Sequence, residues 1–189
     1  MRSEVEEMVC QVRNLSPHSV VDLASGGGWF ISRLLHNCRS IQRTISVERD
    51  LRCLWTLQYK FRVAKAEQRA DAVGGDVRAL PLMTEAFDVA TCSNAFGELA
   101  GISTMFQEAH RVLRPGGHFL LCHSEKPWLV PNVSANNYRR IARKADIFVD
   151  KTHMLHLAVK SGFCVKKVVT TSREPDQMGR RFVADLVRE

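Results

Sequence analysis

The hydrophobic pattern of this chain alternates between short apolar runs and apolar residues at helical spacing. The short runs predict strands over residues 20–23, 44–47, 87–92, 119–122, 163–170 and 181–187. The helical spacings predict helices over residues 1–15, after residue 28, over 50–61, up to residue 113, and over 153–160. Asp50 is predicted to cap its helix, and we expect Trp55 and Tyr59, on or beside the apolar stripe, to lie in the core.

The segment 20–29, Val-Val-Asp-Leu-Ala-Ser-Gly-Gly-Gly-Trp, joins a strand to a helix through a run of glycines. Glycines allow a ligand to approach the backbone, and a helix N-terminus favours a polar or anionic group. A dinucleotide site requires G-x-G-x-x-G. Aligning its first two glycines on Gly26 and Gly28 places Ile31 at the third. The pattern therefore favours a nucleotide-like ligand other than a dinucleotide, with a plain flexible turn as the alternative.

This segment resembles the first motif of S-adenosylmethionine-dependent methyltransferases with a Rossmann-like fold, an acidic residue followed by G-x-G-x-G. In that frame Asp22 is the acidic residue, and Ala24, Gly26 and Gly28 take the glycine positions. Ala24 departs from the motif, so it needs a backbone conformation open to a residue with a Cβ. The sequence Leu-Arg-Pro-Gly-Gly at 113–117 is similar to the type 11 group of small-molecule methyltransferases. We expect its Pro-Gly-Gly turn to stop a helix and to be architectural.

The resemblance implies a site for S-adenosylmethionine built from several loops. Glu48 would accept from the ribose hydroxyls, Asp76 from the adenine amino group, and the Val77 N–H would donate to the ring. Arg49 stands where the family often carries an apolar residue, and its alkyl stem would cover the adenine. The predicted cofactor-binding residues are Asp22, Ala24, Ser25, Gly26, Gly28, Trp29, Glu48, Arg49, Asp76, Val77, Ser93 and Asn94.

The resemblance runs from about Ser19 to Val187 and implies one α/β domain over residues 1–189. Its fold is a three-layer sandwich, with helices on both faces of a seven-stranded, mostly parallel sheet whose last strand is antiparallel. A helix over 1–15 precedes the sheet. The segment 123–150 is expected either to roof the substrate side or to be a structural loop.

The implied reaction is an in-line displacement of the methyl group from the sulfonium cofactor. A general base is optional. His123 is the first candidate, because a neutral imidazole can accept a proton near pH 7, and Glu98 is the second. The loop after the fourth strand lacks the Asn/Asp-Pro-Pro-aromatic signature of enzymes that methylate amide or adenine nitrogens.

Composition excludes several other classes of protein. Six cysteines without a C-x-x-C pair indicate neither a disulfide framework nor a zinc site, and His153 and His156 have no further ligand nearby in sequence. No metal is expected.

No stretch approaches the ~20 apolar residues of a membrane span, so we expect a cytoplasmic protein with no membrane partner. The net charge of +7 is assigned to solvated helix faces, with RNA as the alternative partner.

The resemblance therefore implies a methyltransferase acting on a small-molecule acceptor. Two alternatives stay open: an RNA or protein methyltransferase that uses the basic surface, and a non-catalytic cofactor-binding module that acts with a protein partner.

Overall fold

A computed structural model of the chain describes residues 3–95, 100–124, 150–171 and 181–189. The strands within them are β1 (Ser19–Leu23), β2 (Arg43–Glu48), β3 (Ala70–Gly74), β4 (Phe87–Ser93), β5 (Leu113–Ser124), β6 (Phe163–Thr170) and β7 (Arg181–Arg188). The helices are α1 (Glu4–Leu15), α2 (Trp29–Asn37), α3 (Leu51–Val63), α4 (Ile102–Val112) and α5 (Lys151–Lys160).

The strands form one seven-stranded sheet in the order β3-β2-β1-β4-β5-β7-β6. The pairs from β3 to β5 are parallel, whereas β7 runs antiparallel to both β5 and β6. The predicted fold class is confirmed. The chain order reverses between β1 and β4, and open α/β sheets bind ligands outside the carboxyl ends of the strands at such a point.

Two hydrophobic clusters cover the two faces of the sheet. Apolar side chains of α4 and α5 pack on one face, where Phe106 stacks edge-on against Phe119 with ring centres 5.6 Å apart. Apolar side chains of α1, α2 and α3 pack on the other.

Short polar side chains fix where the helices begin. The Ser3 hydroxyl and the Glu6 carboxylate form a capping box at the start of α1. The Asp50 carboxylate accepts from the Arg52 N–H at the start of α3, which confirms the predicted cap. The Asp150 carboxylate does the same for His153 in α5. No helix in the described ranges is long and apolar enough to cross a bilayer.

The prediction that Trp55 and Tyr59 lie in the core is wrong. Their exposed fractions are 68% and 67%. Helix α3 turns Leu57 and Phe61 toward the sheet instead. The helix carries apolar residues on more than one side, and its periodicity alone does not say which side is buried.

The predicted start of the fifth strand, at Phe119, is also corrected to Leu113. Helix α4 ends at Val112, and Leu113 is already extended, with ψ of 145°. The segment 114–117 lies inside β5 as a bulge, because Leu113 pairs with Phe87 and His118 with Val89. Gly116 has φ of 75° in this bulge, a backbone conformation that glycine adopts without steric cost.

Candidate functional site

A cavity of about 610 Å³ lies beside the carboxyl ends of β1, β2 and β4. Its volume is within the usual range for small-molecule sites, roughly 300–1,000 Å³. All of the predicted cofactor-binding residues line it except Gly28. Sequence reasoning missed several lining residues, namely Gly27, Phe30, Val47, Asp50, Cys53, Gly75, Arg78, Ala95 and Ala100. The sequence-predicted residues are thus brought together at one place.

Two glycines of the β1–α2 segment serve different purposes. Gly26 has φ of +52°, and a Cβ built there would meet no atom within 4 Å, so the space beside it is open. A Cβ on Gly28 would lie 2.5 Å from Leu57 Cδ2. Gly26 keeps the cavity clear, whereas Gly28 allows α2 to approach α3. This is why Gly28 does not line the cavity.

Ala24 takes the left-handed backbone conformation of the position where the motif usually has glycine. Its φ is +52°, within the small left-handed region open to residues with a Cβ. The tight turn is held by the Ser25 N–H, which donates to the Val47 carbonyl at 3.2 Å. Alanine at position 24 therefore adopts the left-handed conformation that glycine usually has at this position of the motif.

Asp22 is a buried carboxylate at the end of β1. The Thr91 hydroxyl donates to its Oδ1 at 2.6 Å. Burial raises the pKa of Asp22 from 3.8 to about 6, the nearby Glu48 charge adds to this, and the hydroxyls of Thr91 and Ser25 offset part of it. Near neutral pH the wall of the cavity therefore holds a carboxylate whose charge is poorly solvated, which favours a cationic ligand group.

Glu48 ties the end of β2 to the glycine segment. Its Oε2 accepts from the Gly26 N–H at 2.8 Å, and its Oε1 accepts from the Arg49 and Asp50 N–H groups at 2.7 and 2.9 Å. A carboxylate has about four acceptor sites. Three are used, so Glu48 has about one left for a ligand hydroxyl, fewer than the two that the sequence suggested.

Asp76 is held by a residue that sequence reasoning missed. Arg78 Nη2 donates to Asp76 Oδ2 at 2.6 Å, and Arg78 Nε donates to Oδ1 at 3.0 Å. The guanidinium keeps the pKa of Asp76 low, at about 2. Asp76 is therefore an ionised acceptor of fixed orientation. The Asp-x-Arg spacing was the available signal, because it allows a side chain to reach back two positions.

The end of β4 supplies the opposite wall of the cavity. Ser93 and Asn94 both line it. The Asn94 N–H donates to the Cys122 carbonyl at 3.0 Å, and Ser93 Oγ lies 3.3 Å from Cys122 Sγ. These contacts fix the β4 end against β5.

The proposed catalytic bases are less well placed. His123 lies in β5, is 1% exposed and does not line the cavity. Burial lowers the pKa of His123 to about 4, so the imidazole is neutral at pH 7 but a weak base. Glu98 and the segment 125–149 lie outside the described residues, so the assignment of a base stays a prediction. Among the described residues no group of three or more His, Cys, Asp or Glu could hold a metal ion.

The sequence of this chain is similar to those of known proteins. A family model described as a methyltransferase domain matches residues 21–121. The demethylmenaquinone methyltransferase of Porphyromonas gingivalis is 21% identical over 133 residues, which cover 70% of this chain and 54% of that protein. The ubiquinone/menaquinone biosynthesis C-methyltransferase UbiE of Cereibacter sphaeroides is 30% identical over 104 residues, which cover 54% of this chain and 40% of that protein. The matches thus span about half the length of these curated relatives.

A solved structure shows the same fold over nearly the whole chain. The S-adenosylmethionine-dependent methyltransferase of Mesorhizobium loti superposes with a TM-score of 0.74 and 16% identity, covering 98% of both chains. At that identity the likeness is one of fold.

Proposed function

Because this chain belongs to the methyltransferase domain family and has a Rossmann-like fold, we propose that its cavity binds S-adenosylmethionine and that it methylates a small acceptor of the quinone type. The observation that carries the proposal is the convergence of the glycine segment, Glu48 and Asp76 on one cavity. The relatives named for menaquinone and ubiquinone support the acceptor class.

The residues of the cavity fit this cofactor in shape and charge. Open space beside Gly26 leaves room for a ligand against the backbone. Three carboxylates, those of Asp22, Glu48 and Asp76, line the cavity. S-adenosylmethionine carries a sulfonium and an ammonium group, and carboxylates of this kind stabilise positive charge nearby.

Each wall of the cavity has a task in this reaction. When bound, S-adenosylmethionine supplies a methyl group that an acceptor atom takes in line: the new bond forms to the methyl carbon, the carbon–sulfur bond breaks, and sulfur keeps the electron pair. Glu48 would hold the nucleoside end of the cofactor through its remaining acceptor site, and Asp76 would orient the base. Their shared effect is to keep the reacting atoms aligned at about 3–3.5 Å.

A ring carbon of a reduced quinone suits this chemistry better than a ring carbon of the oxidised quinone. The methyl group is electrophilic, so its partner has to be electron-rich, and a dihydroxy aromatic ring is. The ring carbon loses its proton after the new carbon–carbon bond forms. With a buried and weakly basic His123, that proton goes to water or to a group outside the described residues.

The first experiment is calorimetric titration with S-adenosylhomocysteine, S-adenosylmethionine and, as the control ligand, NAD. We expect binding of the first two and none of NAD. Gly26→Val should reduce the affinity by more than about 100-fold, since the new side chain fills the cavity. Gly116→Val is the matched control, because Gly116 has a positive φ and open space but lies away from the cavity. Normal binding by Gly26→Val would show that the cofactor lies elsewhere.

The second experiment tests the acceptor. The protein is incubated with S-adenosylmethionine and a reduced, demethylated naphthoquinone that carries an isoprenoid chain, and mass spectrometry measures the gain of one methyl group on the ring. Cofactor binding without this product, but with methylation of an RNA substrate, would replace the acceptor class by RNA.

A further inference from the structure

The outer side of α3 carries a row of exposed apolar side chains. Leu51, Trp55, Tyr59 and Val63 are spaced four residues apart and are each between 63% and 68% exposed. We call these four residues the α3 stripe. Residues four apart share one side of a helix, and the stripe extends for about 18 Å at 1.5 Å per residue. Contiguous apolar surface of this kind marks an interaction site.

The charge around the α3 stripe is entirely positive within the helix. Leu51–Val63 contains no Asp or Glu. Arg52 lies three residues before Trp55, and Arg62 lies three residues after Tyr59, so both exposed arginines share the outer side of the helix with the aromatic residues. Arg52 also pairs with Asp50 at 2.7 Å. Because Asp50 offsets the charge of Arg52, the positive charge beside the aromatic rings comes mainly from Arg62, and it complements an anionic partner.

The α3 stripe begins at the mouth of the cavity. Arg49, Asp50 and Cys53, from the segment that starts α3, line the cavity wall. Trp29 lines it too and is exposed, with the Arg33 guanidinium 4.8 Å from the centre of its ring. A partner seated on α3 would therefore lie next to the entrance of the site.

We propose that the α3 stripe docks this protein onto the surface of an anionic lipid bilayer. Trp and Tyr side chains prefer the headgroup level, apolar side chains enter the boundary with the acyl chains, and basic residues are attracted to anionic lipids. The proposal differs from the expectation of no membrane partner, which considered only membrane spans.

A bilayer fits the α3 stripe better than a nucleic acid does. Bases would stack on Trp55 and Tyr59, but Leu51 and Val63 at the two ends would stay in water, whereas acyl chains cover all four. A protein that binds nucleic acid through its backbone also neutralises phosphates with Lys and Arg, and the outer side of α3 offers only two arginines within Leu51–Val63.

Docking would explain how the protein meets its acceptor, and in this respect it rests on the proposed function. An acceptor with an isoprenoid chain partitions into the bilayer, so the cavity has to be at the lipid surface to reach the ring. The docking itself rests on the α3 stripe alone.

The test is co-sedimentation with vesicles of phosphatidylcholine, with and without phosphatidylglycerol. We expect binding to the mixed vesicles and a blue shift of tryptophan fluorescence. The double variant Trp55→Ser/Tyr59→Ser should bind the mixed vesicles at least about tenfold more weakly, because its interfacial aromatic anchors are lost. Met83→Ser is the matched control, since Met83 is 71% exposed and lies off the stripe, and its binding should stay unchanged.

Titration of the same proteins with S-adenosylhomocysteine separates this proposal from the proposed function. If the double variant keeps cofactor affinity and loses vesicle binding, the docking surface is confirmed. Vesicle binding by a parent protein that fails to bind the cofactor would sustain docking and end the proposed function. Equal vesicle binding by the double variant and its parent would overturn docking. So would a parent protein that ignores vesicles and instead binds single-stranded RNA or dimerises through Trp55.

Discussion

Helices α3 and α4 cover opposite faces of the same sheet and use their apolar residues in opposite ways. Helix α4 buries Ile102, Met105, Phe106, Ala109 and Val112. Helix α3 buries Leu57 and Phe61 and turns the α3 stripe to solvent. An apolar helix in this fold can therefore be a piece of core or a surface for contact, and its composition does not distinguish the two.

The difference extends to the surroundings of each helix. The α4 side is held by aromatic packing among Phe106, Phe119 and Phe163. The α3 side is joined to the glycine segment by a hydrogen bond, in which Lys60 Nζ donates to the Gly27 carbonyl at 2.6 Å. Changes in the aromatic cluster should affect stability, and changes at the glycine segment should affect binding.

The largest effect is expected from Phe106→Ala. Phe106 is fully buried in the aromatic cluster, and removal of such a ring typically costs about 3–5 kcal/mol. Urea unfolding followed by circular dichroism measures the loss. A loss below about 1 kcal/mol would mean that α4 is not the core helix described here.

The next effect concerns pH and the cavity side of the sheet. Burial raises the pKa of Asp22 to about 6, against 3.8 for the unfolded chain, so this group stabilises the fold fully below pH 3.8 and loses that contribution as the pH rises through 6. At 1.36 kcal/mol per pKa unit the loss is about 3 kcal/mol. In Asp22→Asn this dependence should vanish.

Urea unfolding of Asp22→Asn and the parent protein across the range of pH checks this. Between acid and neutral pH, the unfolding free energy of the variant should rise by about 3 kcal/mol relative to that of the parent protein. A constant difference would show that Asp22 does not titrate near 6. Calorimetry should also show weaker binding of S-adenosylmethionine to the variant, since a negative charge beside the ligand is lost.

A third change weakens binding with little effect on the α4 side. Glu48→Ala removes a charged acceptor and should reduce the binding free energy of S-adenosylhomocysteine by about 1.5–3 kcal/mol. Glu67→Ala, at an exposed position, is the control and should bind normally. Unchanged affinity in Glu48→Ala, with the fold intact, would remove Glu48 from the ligand site.

The smallest effect is expected from Trp55→Ala. An exposed side chain away from special features usually changes stability by less than about 0.5 kcal/mol. Thermal unfolding in parallel with Phe106→Ala gives the contrast directly. A large loss in Trp55→Ala would break the comparison of the two helices.

The order of elements could be predicted from sequence because apolar runs and helical spacing depend on local residues. The bounds of β6 agree at both ends, and those of β1 and β2 agree to within one residue. The start of β5 was predicted too late, because Pro-Gly-Gly residues also suit a bulge inside a strand, and only pairing with β4 shows that the strand already begins at Leu113.

The cavity was predictable only in part. The glycine segment and the acidic residues after β2 and β3 carry a local pattern, and they line the cavity as expected. Two features depend on side-chain rotamers and loop geometry instead. Arg78 donates hydrogen bonds to Asp76, and backbone N–H groups occupy three acceptor sites of Glu48. The outward side of α3 was missed because it depends on how much of the helix the sheet can cover.

The position of β7 has a consequence for how the chain folds. It follows β6 along the chain but lies between β5 and β6, pairing with both. Among the described strands β6 pairs only with β7, so β6 cannot join the sheet before β7 does. Until the two are in place, β5 presents an unpaired backbone edge of the kind that leads to aggregation. Loss of β7 would therefore remove two strands from the sheet at once.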